Sequence, residues 1–129
     1  MKLLGRKGIT LVETIIAMTL LVILTAISLE LSLSSTIITS NSKYRFIAVN
    51  MTNDLIEIFQ EADDNDHFQE LVRTIYNVEF DREPNGAISF EYDNVTYHIL
   101  NAGNIILIDC YDSNRDHKYY EYSYLKGEK

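Results

Sequence analysis

The sequence predicts an α+β chain in which one long N-terminal helix packs on a small antiparallel β-sheet. Three observations carry that expectation. From Thr14 to Leu29 there is no charged residue. From Ile47 to Ala62 apolar residues recur at three- and four-residue spacing, the period of one helical face. From Ile88 onward they alternate with polar neighbours, the period of a half-buried strand.

The first element begins with the apolar run. Ile9 to Leu29 is 21 residues, about 31 Å as a helix, close to the ~30 Å hydrocarbon core of a bilayer. It is apolar all round, whereas a surface helix of a soluble domain carries a stripe. Lys2, Arg6 and Lys7 precede it, which places the N-terminal end in the cytoplasm and the C-terminal part outside. Lys43 and Arg45 on the far side dilute that bias without reversing it. The serines and threonines between Ser32 and Ser42 are poor helix formers. No glycine or proline interrupts them, so the helix is expected to continue.

The second half of that helix is read from the stripe Ile47, Met51, Leu55, Ile58, Phe59 and Ala62. Asn50, Asn53, Asp54, Glu57 and Glu61 lie largely off it, so the stripe is assigned to the core beneath the strands. The run Asp63-Asp64-Asn65-Asp66 ends the helix. Asp66 followed by Gln69 reads as a capping box opening a short helix, with Phe68, Leu71, Val72 and Ile75 facing inward. Thr74 to Phe80 is set apart as a further strand by the turn Pro84-Asn85-Gly86. Ile88, Phe90 and Tyr92, then Val95, Tyr97 and Ile99, form a hairpin across Asp93-Asn94. Ala102-Gly103 turns into Ile105-Ile106-Leu107-Ile108, a run apolar on both faces and therefore expected to be central. Tyr120, Tyr122 and Tyr124 alternate in a last strand.

Composition narrows the function classes. The chain of 129 residues has a formal net charge of −8, with 19 acidic and 11 basic residues. Without Lys2, Arg6 and Lys7 the remaining 8 basic residues leave a net of −11. Such a surface repels phosphate backbones, so direct nucleic-acid binding is not expected. Cys110 is the one cysteine, which rules out an intrachain disulfide.

The segment Gly5-Arg6-Lys7-Gly8-Ile9-Thr10-Leu11-Val12-Glu13 joins a short basic leader, a glycine and a single glutamate to the apolar run. A secretory signal has a shorter core of about 7–15 residues ending at a small-residue site, and has no use for the glutamate. A plain signal anchor explains the apolar length but not the spacing of Gly8 and Glu13. This arrangement resembles the N-terminus of type IV prepilins and pseudopilins. The resemblance covers the leader and about the next forty residues. It departs from the family at Ile9, where phenylalanine is usual, and in lacking the C-terminal disulfide of many Gram-negative pilins.

The resemblance implies a type IV pilin-like fold with residues 1–8 as leader, 9–38 as hydrophobic helix and 39–129 as amphipathic helix and globular head. It implies that a prepilin peptidase cuts between Gly8 and Ile9 and methylates the new amine of Ile9. Glu13, fifth in the mature chain, would pair with the amine of a neighbouring subunit during assembly. The implied partners are other pilin or pseudopilin subunits, the prepilin peptidase, an assembly platform and the cytoplasmic membrane. The head would lie outside, and at the cell surface after assembly. Retractable pilus, DNA-uptake pseudopilus and type II secretion pseudopilus all remain open. A signal-anchored surface binding module that never polymerises is the rival reading, and it does not need the Gly8–Glu13 pair.

No enzyme, cofactor or small-molecule substrate is expected. His67, His98 and His117 are scattered, and Cys110 ends an apolar strand where a buried thiol is ordinary. Asp112, Asn114 and Asp116 place oxygen donors as in the first half of an EF-hand loop. His117 stands where that loop requires glycine and Ser123 where it requires glutamate, so the run reads as a solvated turn before it reads as a calcium site. The tyrosines Tyr119, Tyr120, Tyr122 and Tyr124 are read as strand formers before they are read as an adhesive surface.

Overall fold

The computed structural model describes the backbone of residues 4–127 and the side chains of residues 10–127. In chain order its elements are α1 (Leu4–Glu61), α2 (Asn65–Tyr76), β1 (Asp81–Arg82), β2 (Ile88–Tyr92), β3 (Val95–Ala102), β4 (Ile105–Asp112) and β5 (Lys118–Leu125). The strands form one five-stranded antiparallel sheet in sequence order. One long N-terminal helix packed on a small antiparallel sheet is the α+β, type-IV-pilin-like architecture. Contacts divide the chain into two units, Met1–Ser40 and Asn41–Lys129.

In the first unit α1 is long and apolar enough to cross a membrane, judged by length and composition. Its hydroxyls do not disturb it. Thr14, Thr19, Thr25, Ser28, Thr36 and Thr39 each donate to a backbone carbonyl four residues back, at 2.7–3.0 Å. Those polar groups are satisfied inside the helix, which removes most of the cost of placing them in an apolar medium.

In the second unit α1 supplies the stripe that covers the sheet. Met51, Leu55, Ile58, Phe59 and Ala62 are buried, Ile47 packs against them, and Ala48, Thr52 and Ile56 join the same face. Opposite them the sheet presents Ile88, Phe90, Val95, Tyr97, Ile99, Ile106, Ile108 and Cys110. Phe90 stacks on Tyr97 at 5.2 Å, and Phe59 meets Phe68 edge-on at 5.9 Å, tying α1 to α2.

Several expectations are corrected. The cap of α2 is Asp64, not Asp66: its extended backbone lets Oδ1 accept from the His67 amide at 2.7 Å, and Asp66 falls in the first turn. Phe68 and Val72 are buried and Leu71 packs against them, but Ile75 is 58% exposed. Tyr76 takes the inward place instead, edge-on to Tyr92 at 5.4 Å with its hydroxyl donating to Asp54 at 3.0 Å. Thr74 to Phe80 is not a strand. Thr74 to Tyr76 complete α2, which Asn77 closes in the left-handed conformation at φ 52°, and Phe80 reaches the core edge-on to Phe90.

The hairpin turns follow backbone chemistry. Asp93 and Asn94 both have positive φ, 53° and 60°, as a type I′ turn requires. The next loop is Gly103-Asn104, one residue later than expected, with Gly103 at φ 70° and Ala102 still within β3. Pro84-Asn85-Gly86 does turn the chain, closed by the Glu83 amide on Ala87 O at 2.9 Å. The apolar run of β4 lies between β3 and β5, but only one of its faces is buried. Ile106 and Ile108 face the helices, whereas Ile105 and Leu107 remain 42% and 41% exposed. Both helices lie on one side of the sheet, and among the described residues of the second unit nothing covers the other.

Candidate functional site

Glu13 lies on the exposed surface of α1 among Leu11, Val12, Ile15 and Ile16, which are also exposed. It is the one ionisable residue between Thr10 and Leu29. A carboxylate in that position costs about 2.5–3.5 kcal/mol on membrane-insertion scales unless it is paired. The expected cut between Gly8 and Ile9 lies outside the described side chains, as does the amine it would expose.

Asp112 is the last residue of β4, and Asn114 and Asp116 fall in the turn between β4 and β5. The Asp112 carboxylate is engaged within that turn, where Oδ1 accepts from the Asp116 amide at 2.7 Å and the His117 amide at 3.3 Å. Arg115 sits there at φ 62°. Among the described residues, no three His, Cys, Asp or Glu side chains converge as a metal site. The histidines are apart, on α2, on β3 and in the β4–β5 turn. Cys110 is buried, 3.5 Å from the Thr52 hydroxyl, and burial pushes its thiol up to about 11, away from thiolate chemistry.

One polar cluster had no signal in the sequence. Glu83, in the β1–β2 turn, holds His98 Nε2 through Oε2 at 2.9 Å and Arg115 Nη1 through Oε1 at 3.1 Å. Arg115 also donates to Ser89 Oγ at 3.1 Å. Glu83, His98 and Arg115 line a concavity of about 290 Å³ with Tyr111. The meander assembles them: Ser89 and His98 are register neighbours, and the β4–β5 turn brings Arg115 over the adjacent strands. Every charged group in the cluster is matched, so it serves as a clasp between two turns.

The hydrogen bond from His98, with Arg115 beside it, holds the Glu83 carboxyl below its usual range. A lowered carboxyl pKa contributes stability above the unfolded value of about 4.3 and loses it as pH falls through the folded value. The difference in denaturation midpoint between the native chain and Glu83→Gln is therefore expected to be largest near neutral pH and to shrink below about pH 4. A difference independent of pH would remove the clasp's electrostatic role.

Comparison with known proteins found no match for this chain among family models, curated proteins or solved structures. Its likeness to type IV pilins is one of general architecture.

Proposed function

We propose that this chain is a structural subunit, a minor pilin or pseudopilin, of a type IV pilus-like filament. Prepilin peptidase removes the leader between Gly8 and Ile9 and methylates Ile9. The apolar stretch of α1 then holds the subunit in the cytoplasmic membrane with the Asn41–Lys129 unit outside. From there an assembly platform draws it into a filament among other subunits, at the cell surface in a pilus or beneath it in a secretion or DNA-uptake pseudopilus. The observation that carries this reading is one helix that is apolar and exposed in its first unit, interrupted by Glu13, and packed on a small sheet in its second.

The test is direct. Mass spectrometry of the chain from membranes of cells with an active prepilin peptidase is expected to find an N-terminus at methylated Ile9, with Gly8→Leu blocking the cut. An intact leader would end the reading.

A second reading, an anchored surface module that does not polymerise, is favoured by one observation: the side of the sheet away from the helices carries uncovered aliphatic residues. It requires neither the cut nor Glu13.

A further inference from the structure

The uncovered side of the sheet ends at β5, an eight-residue strand with no neighbouring strand beyond it among the described residues. The Lys126 amide donates to Asn104 O at 2.7 Å, which fixes the alternation of the β4–β5 ladder. Tyr120, Tyr122 and Tyr124 turn their backbone groups toward β4, and Glu121, Ser123 and Leu125 turn theirs to the free edge. Among the described residues those outward groups have no hydrogen-bond partner in the protein. Beside them Leu107, Asp109, Glu121, Tyr122 and Ser123 line a concavity of about 420 Å³. Ile105, Leu107 and Leu125, the last 66% exposed, form an aliphatic strip on the same face. Natural sheets blunt a long edge of this kind or use it.

We infer that the free edge of β5 receives an extended segment of another chain, one alternating aliphatic and basic residues. The segment adds a sixth strand. Its backbone satisfies Glu121, Ser123 and Leu125, and its aliphatic side chains cover Leu107 and Leu125. Two features select the basic character. At the groove the carboxylates of Asp109 and Glu121 share the single ammonium of Lys118, at 3.1 and 3.0 Å, which leaves a surplus negative charge. Across Asn41–Lys129, 17 acidic residues face 8 basic ones.

A second copy of this chain does not fit the edge. Antiparallel pairing of β5 with itself would set the surplus negative charge of one copy's groove against that of the other. The opposite edge of a second sheet, β1, has only two residues.

The test uses the full chain, isotope-labelled in detergent micelles, with a synthetic ten-residue peptide alternating valine and lysine. Binding is expected to slow hydrogen exchange at the Glu121, Ser123 and Leu125 amides and to leave those of β1 unchanged. Leu107→Ser and Glu121→Lys, both at exposed positions, are each expected to weaken it about tenfold, as is replacing lysine by glutamate in the peptide. Unprotected edge amides at saturating peptide, or equal affinity for the valine–glutamate peptide, would overturn the proposal. So would a β5-mediated dimer of the full chain that the peptide does not compete away. A chain that stays soluble without detergent would fail the anchored reading alone, since the peptide result does not depend on it.

Discussion

Replacing Leu55 by alanine is expected to destabilise the Asn41–Lys129 unit by about 2–5 kcal/mol, the range for removing a fully buried leucine. Leu55 is completely buried where α1 lies on the sheet, among the residues of one continuous core. The truncation removes apolar contact and leaves a hole that rigid neighbours on both layers cannot fill. A soluble fragment beginning near Ser40 suits the measurement by chemical denaturation. Phe46→Ala, at an exposed position on the same helix, is the control and should stay within about 0.5 kcal/mol. Equal midpoints for Leu55→Ala and the native fragment would show that this face of α1 does not hold the sheet. A changed slope would instead mark altered compactness.

The second large effect is expected at Glu13. On the proposed reading its charge matters only where a neighbouring Ile9 amine shares its low-dielectric layer. Glu13→Gln keeps shape and hydrogen-bonding capacity but removes the counter-charge. Leader cleavage and membrane insertion should proceed almost normally, since a neutral side chain is easier to insert. Incorporation into sheared filaments, at matched levels of cleaved subunit, should fall severalfold, because each docked amine would be desolvated without a partner. Equal incorporation of both forms would leave Glu13 as an interfacial residue and nothing more. A weak loss would point to a subunit at the filament tip, which has no neighbour ahead.

The fold was legible where one periodicity decided the matter. The stripe from Ile47 to Ala62 and the alternation through Tyr97 and Tyr124 name the layers before any coordinates do. Local competition hid the rest. Asp64 and Asp66 are equally good caps in the sequence, and only the extended backbone at Asp64 chooses between them. Ile75 and Tyr76 compete for one inward place, and the hydroxyl of Tyr76 decides by finding Asp54. The run Ile105–Ile108 could not reveal its bare face, because apolar content does not say how many layers a sheet has. Of the candidate site, Glu13 was visible as an interruption of an apolar run. Glu83, His98 and Arg115 were not, since only strand order brings them together.

Lys126 has a consequence for mechanical load. Its ammonium binds Phe59 O at 3.1 Å and Ala62 O at 2.7 Å, the free carbonyls at the end of α1. β5 is joined to the sheet along one edge only, so a pull from beyond Lys126 would peel it from β4 one hydrogen bond at a time, the weak direction for a ladder. The lysine, together with Gln60 on the Tyr124 hydroxyl at 2.8 Å, passes that tension into the end of the long helix before the first rung opens. On the proposed reading a subunit under load gains a tether there, and Lys126→Ala would leave the last strand to unzip at lower force.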